Sequence, residues 1–253
     1  MERASEIQWD KLIQERTYTP SPAHWEDLII YFLMVDRFSN GQERGYADID
    51  GKPVETGTEA VYTEGDFDEV LEDKEKLAAW HAASEVRNGG TLKGITSKLG
   101  YLKRLGITAL WISPVFKQPE FEDNYHGYGI QNFLAIEPRI GTPEDLRELV
   151  KKAHEQDIYV ILDIIVNHTG NVFTYEADEV PYTGEQYPVR AFNSPSGDPD
   201  IPTDSDEGDA VRPRELQRLE TFTRKGSITD WDAYPEYIEG DFYSLKNIHT
   251  GSG

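Results

Sequence analysis

The chain has 253 residues, 38% of them hydrophobic, with 47 Asp and Glu against 25 Lys and Arg, a formal net charge of -22. That length allows a sizeable core in one large domain or two small ones. The negative balance argues against a nucleic-acid surface, which needs positive charge to meet phosphate, and the lack of cysteine excludes disulfides, thiolate chemistry and cysteine metal sites.

Residues 1–26 read as an amphipathic or loosely packed extension. Its start, "MERASEIQWDKLIQ", is charged and has no apolar core, so it is not a secretory signal. No run approaches the ~18 apolar residues of a membrane span, so a cytoplasmic protein without a membrane partner is expected. "LIIYFLMVDRF" (28–38) is an apolar strand ending in Asp36-Arg37, a pair expected to be structural. A long polar stretch follows, with a helix expected near 67–87; it reads as an insertion or extended loop.

Next, Leu92, Ile95, Leu99 and Leu102 recur at helical spacing, with Gly106 just past the helix end. "ITALWIS" (107–113) is a strand, stopped by Pro114. The pattern then repeats. Thr142-Pro143 is an N-cap and first-turn pair, Leu146, Leu149, Val150 and Ala153 form one face, and "IYVILDIIV" (158–166) is a strand with Asp163 in its middle. Apolar strands alternating with amphipathic helices imply a parallel sheet covered by helices; a barrel and a doubly wound sheet both fit. No glycine-rich phosphate motif follows a strand, so a nucleotide fold is not supported. Residues 171–240 lose periodicity and are rich in Pro, Gly, Asp and Tyr, like a small irregular subdomain inserted after the third strand. The acidic stretch "DPDIPTDSDEGD" (198–209) lacks EF-hand spacing and reads as a solvated loop, with an ion site as the alternative.

Two stretches carry candidate chemistry. In "DIIVNHTG" (163–170) a strand holds an acid and exits in Asn167-His168. A buried acid is costly unless paired or functional, and a polar cluster at the exit of a buried strand is where barrel enzymes place their chemistry. Asp163 and His168 are either a satisfied polar strand end or groups facing a mouth. Asn167 offers an amide oxygen to a hard cation such as Ca²⁺. In "NYHGYGIQNF" (124–133), His126 and Tyr128 flank Gly127; Tyr128 either stacks on a sugar face or packs the loop.

In order along the chain come the strand-end Asp-Arg, "GITALWISP", "HGY", "GTPEDL" and "DIIVNH". This ordered set closely resembles the α-amylase family of glycoside hydrolases over residues 28–170, and more loosely over 171–253. The resemblance implies an α/β fold: the N-terminal portion of a (β/α)8 TIM barrel, about three βα units, with an irregular subdomain after strand 3. It divides the chain into an extension (1–26), the first part of the barrel (27–170) and the inserted subdomain (171–253). It implies that Asp163 supports the active-site network, that His168 hydrogen-bonds the sugar at the cleavage subsite with His126 nearby, that Tyr128 stacks on that sugar, and that Asn167 ligates a structural Ca²⁺. "GDFYSLKNI" (240–248) loosely matches the family's segment at the end of the subdomain but lacks its usual aspartate. The implied activity is retaining cleavage of α-glucosidic bonds in starch, glycogen or maltooligosaccharides. A retaining glycosidase needs two carboxyls ~5 Å apart. The family carries them on strands four and five, and no matching motif is found before Gly253, so the chain is expected to be a fragment, inactive by itself. The alternatives are a transglycosylase of the same family and a non-catalytic sugar-binding paralogue.

Overall fold

The structure, a computed structural model, describes residues 1–14, 18–42, 46–47, 53–54, 73–205 and 207–251. After a short exposed helix, α1 (Trp9–Gln14), the chain forms β1 (Ile30–Leu33), the single turn α2 (Val35–Phe38), α3 (Lys74–Ala83), α4 (Leu92–Ser97), α5 (Leu99–Arg104) and β2 (Ala109–Ile112). Then come the antiparallel pair β3 (Phe116–Lys117) and β4 (Asn132–Ile136), α6 (Pro143–His154) and β5 (Tyr159–Leu162).

Strands β1, β2 and β5 make one parallel sheet in that order, with Leu33, Ile112 and Leu162 in line at its C-terminal edge. Alternation along the strands separates the two faces. Leu33, Leu110 and Ile112 turn to the helices and are buried in an aliphatic core with Leu92, Ile95, Leu99, Leu102 and Leu149. Ile30, Phe32 and Trp111 occupy the opposite face and are 47%, 45% and 41% exposed. Among the described residues, the outer edges of β1 and β5 pair with no further strand.

The helices start where the sequence places their caps. The Thr91 hydroxyl accepts the Gly94 N–H, and Thr142 and Asp145 form a reciprocal capping box ahead of Pro143. Gly106 ends the first unit at φ +91°, a left-handed turn that glycine adopts without cost.

Four expectations need correction. The run 92–105 is two helices, not one, interrupted at Lys98 (φ -104°, ψ 2°), with its four apolar residues still buried across the break. The helix expected at 67–87 is Lys74–Ala83, and residues 67–72 of that expectation lie outside the described set. The first strand stops at Leu33, so Asp36-Arg37 sits in the helical turn after it. The strand expected at 158–166 ends at Leu162, so Asp163 follows the strand and is half-buried. Among the described residues no strand pairs with 163–166, and Ile164 and Val166 stand exposed.

The remainder is irregular. Its ladders are short: β6 (His168–Thr169), β7 (Phe173–Tyr175), β8 (Val189–Phe192), the one-turn α7 (Glu236–Glu239) and β9 (Lys246–Asn247). β7 pairs with β8 and β6 with β9, both antiparallel. Its core is aromatic. Phe173 meets Phe222 edge-to-face at 5.2 Å, with Phe192 beside them. A buried polar group joins this core: Asp241 accepts the Tyr175 hydroxyl at 2.8 Å and the Asn247 N–H at 3.0 Å, and the Lys246 ammonium lies 3.6 Å away. Lys246 also sits over the Phe173 and Tyr175 rings. At the other end of the chain, the Glu2 carboxylate reaches Arg212 at 2.6 Å and Arg214 at 3.0 Å, tying the extension to this region.

Candidate active site

The C-terminal edge of a parallel sheet is where barrel folds gather their chemistry, and the polar residues singled out in the sequence meet there. Asp163 is the first residue past β5, and its N–H donates to the Ile112 carbonyl at the end of β2. Its Oδ2 accepts two hydrogen bonds, from the Tyr128 hydroxyl at 2.9 Å and from the Trp111 indole at 3.2 Å. Burial, and then the hydrogen bond to Asp163, push the Tyr128 hydroxyl up to about 12. The phenol therefore stays protonated and donates to the carboxylate.

Gly127 sets the geometry of the His126–Tyr128 turn. Its φ is +87°, and a Cβ there would lie 2.3 Å from the Pro114 carbonyl oxygen, so only glycine fits. The turn stacks the two flanking rings at 5.7 Å and 27°, and the Tyr128 N–H donates to His126 Nδ1. Beneath them, Asp36 is fully enclosed, accepting the N–H groups of Asn88 and Gly89. Arg37 pairs with it at 3.4 Å and lies 3.9 Å from the Tyr125 ring centre. This pair is structural, under the mouth.

His168 closes the other side. Its Nε2 lies 3.0 Å from the Tyr128 carbonyl oxygen and its Nδ1 2.9 Å from the Asn167 amide nitrogen. A carbonyl only accepts, so Nε2 carries the proton and Nδ1 accepts from Asn167. Burial pushes the imidazole down from its ordinary value, and the carbonyl contact only partly opposes this. Both ring nitrogens are thus engaged, and a sugar hydroxyl would have to take the place of one partner. The backbone is held from the irregular region: Asn247 pairs with His168, and the Ile248 N–H donates to the Asn167 carbonyl.

Asp163, Tyr128, His126, His168 and Asn167 are therefore neighbours, although the sequence separates them by up to 42 positions (168 − 126). Two contributors were not foreseen. Trp111 alternates with Leu110 and Ile112 in a strand whose other face is buried, so strand period alone placed it on the mouth side. Phe242, whose ring lies parallel to His168 at 6.4 Å, comes from a segment with no periodic signal.

The Ca²⁺ expected at Asn167 would be held by the amide oxygen, the atom that the contact to His168 leaves free. The Asn167 amide NH₂ faces His168, and among the described residues no three His, Asp or Glu side chains converge to hold a metal. In the segment where the resemblance expects an aspartate, the Asn247 side chain donates to the Ile238 and Gly240 carbonyls, which a carboxylate could not do. The nearby positive charge is the Lys246 ammonium.

A parallel strand–helix sheet with a polar mouth at its C-terminal edge defines an α/β enzyme-like scaffold. Residues 32–222 match the alpha-amylase catalytic domain family. A beta/alpha-amylase of Paenibacillus polymyxa is 39% identical over 147 residues, 58% of this chain and 10% of that protein. The solved structure of an Anoxybacillus α-amylase aligns at a TM-score of 0.53 with 27% identity, over 90% of this chain and 35% of that one. A cyclomaltodextrin glucanotransferase with a three-domain ABC distribution aligns at 0.52 with 29% identity, over 87% and 38%. The chain belongs to the α-amylase family of glycoside hydrolases, and these neighbours support the (β/α)8 fold. It spans 10% to 20% of the length of the first curated relatives it matches. Among the described residues no helix is long and apolar enough to cross a membrane.

Proposed function

We propose that these residues form the first three βα units and the inserted subdomain of an α-glucan-acting, retaining glycoside hydrolase, and that they supply the sugar-holding side of its mouth. Three strands do not close a barrel, and the open apolar face of Ile30, Phe32 and Trp111 suits one wall of a larger one. The observation that carries the reading is the Tyr128–Asp163 hydrogen bond at the exit of β5, with His168 anchored on the Tyr128 carbonyl. Tyr128 offers a ring to a glucosyl face, Asp163 orients that ring, and His168 turns toward the sugar by giving up Asn167. The nucleophile and the acid/base, which split the reaction into two steps, we place outside these 253 residues, so the isolated chain should not hydrolyse starch. The aligned glucanotransferase favours a second reading, in which the acceptor is another sugar rather than water.

The test is maltotriose affinity in the protein expressed with its natural flanking sequence. Tyr128→Ala should weaken binding by about 1–3 kcal/mol, the range of ring stacking on a planar ligand, or roughly 5- to 150-fold. Tyr128→Phe keeps the ring and loses only the bond to Asp163, so it should retain most of the affinity. Wild-type affinity in Tyr128→Ala would remove the tyrosine from the site.

A further inference from the structure

The Tyr128 ring leaves the chain beside a peptide plane that is held at both polar ends. The Tyr128 N–H donates to His126 Nδ1 at 3.0 Å, and the Gly127 carbonyl accepts the Gln118 side-chain amide at 2.9 Å. A peptide unit is flat and stiff, so this one cannot tilt without straining both bonds. Its setting therefore directs the Tyr128 side chain. The Gly127 N–H is held as well, on the Asn124 carbonyl at 3.1 Å.

Gln118 is the most deeply seated of these holders. It directly follows β3 and is 1% exposed, against 8% for Asn124. Its own N–H donates to Glu137 Oε2 at 2.8 Å, and Arg139 grips that enclosed carboxylate through the other oxygen. Its side chain turns toward the mouth, where Nε2 donates to the Phe116 carbonyl at 2.7 Å and to the Gly127 carbonyl. Two carbonyl acceptors fix which end of the amide faces them, since the amide oxygen would meet two other oxygens there. That oxygen, Oε1, is buried and has no partner among the described residues. A buried acceptor without a partner costs free energy, and an apolar side chain of similar length would avoid the cost. The position bears an unmet acceptor while delivering a donor to the turn, which a positioning role requires and core packing does not.

We infer that Gln118 is a positioning residue for the mouth: its amide, acting through the Gly127 carbonyl, aims the Tyr128 ring at a glucosyl face before any sugar arrives. The inference rests on the sugar reading of Tyr128 and adds the group that orients it. A ring already aimed loses little freedom on binding. Without the Gln118 donor the 127–128 peptide is held at its His126 end alone, and the sugar must order the turn as it binds.

The test is a double-variant cycle read by calorimetric titration with maltotriose, in the protein expressed with its natural flanking sequence. Gln118→Met keeps the length of the side chain and loses the donor. It should weaken maltotriose binding about fivefold, the worth of one hydrogen bond. Added to Tyr128→Ala, it should change the affinity by less than about twofold, because the ring it aims is gone. Unchanged affinity in Gln118→Met would overturn the positioning role alone. So would an equal loss with and without the Tyr128 ring, which would make Gln118 a general support of the fold. Wild-type affinity in Tyr128→Ala would instead overturn the reading of the mouth. If Gln118→Met does not fold, the wild-type protein decides. Nuclear magnetic resonance of the sugar-free protein should show the Gln118 side-chain amide protons protected from exchange with water. Exchange at the rate of an exposed glutamine would mean that the amide is not seated on Gly127 before sugar binds, and would overturn the inference.

Discussion

Before residue 170, leucines and isoleucines fall at helical and strand intervals and pack under a three-stranded parallel sheet. After it, three phenylalanines pack together, the strands pair only two by two among the described residues, and an ion pair lies inside. The first region satisfies its backbone by regular pairing. The second uses side chains to reach backbone groups: Asn193 donates to Asn171, Gln217 to Glu207, Asn247 to Ile238 and Gly240. Regular structure spreads its stability over many equivalent contacts, whereas the irregular region concentrates it at a few polar anchors. The mouth lies on the boundary, with Asp163 and Tyr128 held by the first region and His168 clasped by the second.

Removing an anchor should show the difference most strongly. Burial drives the Asp241 carboxyl up and the Lys246 ammonium down, while each partner pulls the other back toward its charged form. Lys246→Met leaves that carboxylate alone and should cost about 3–5 kcal/mol in urea unfolding. Adding Asp241→Asn should recover more than half; a double variant as unstable as the single one would show that the pair is not the anchor. In the regular region, Leu99→Ala opens a cavity in a fully enclosed site and should cost about 2–5 kcal/mol. Here the loss should fall on the parallel sheet and leave Phe173, Phe192 and Phe222 packed, as read by near-ultraviolet dichroism. Simultaneous loss of both signals would make the two regions one cooperative unit and end the contrast.

The boundary itself should respond to acid, with a smaller effect. Burial lowers His168, and burial, helped by Arg87, lowers His126, both from an ordinary value of 6.5. Above that value both states of the protein hold neutral imidazoles, so stability is fully present. As pH falls below it, the unfolded chain takes up protons first, and stability drops until the folded groups also titrate. The thermal midpoint should therefore fall from pH 7.5 to about 5.5, and His168→Gln should flatten that slope. An unchanged slope in the variant would mean that His168 is not held neutral.

How much was legible in the sequence follows the same boundary. The apolar period located α4, α5 and α6 and the three strands, because helix and strand spacing is set by the chain's own geometry. It overran the end of β5, since Ile164 and Val166 are apolar but among the described residues no strand pairs with them. Asp163, Tyr128 and His168 could be named because they sit at strand exits and beside a glycine turn. Phe242 and the Asp241–Lys246 pair could not. Tyr175 meets Asp241 across 66 positions, and no local periodicity encodes such a contact.

The β6–β9 pairing fixes the order in which the mouth can be completed. His168 is matched to Asn247, 79 positions later (247 − 168). Chains are made from the amino end and tend to fold as they emerge, and distant pairings close slowly. Tyr128 and Asp163 are therefore available to each other while His168 still lacks its clasp. A ribosome paused between those two points would hold a chain with a formed sheet and an unfinished mouth.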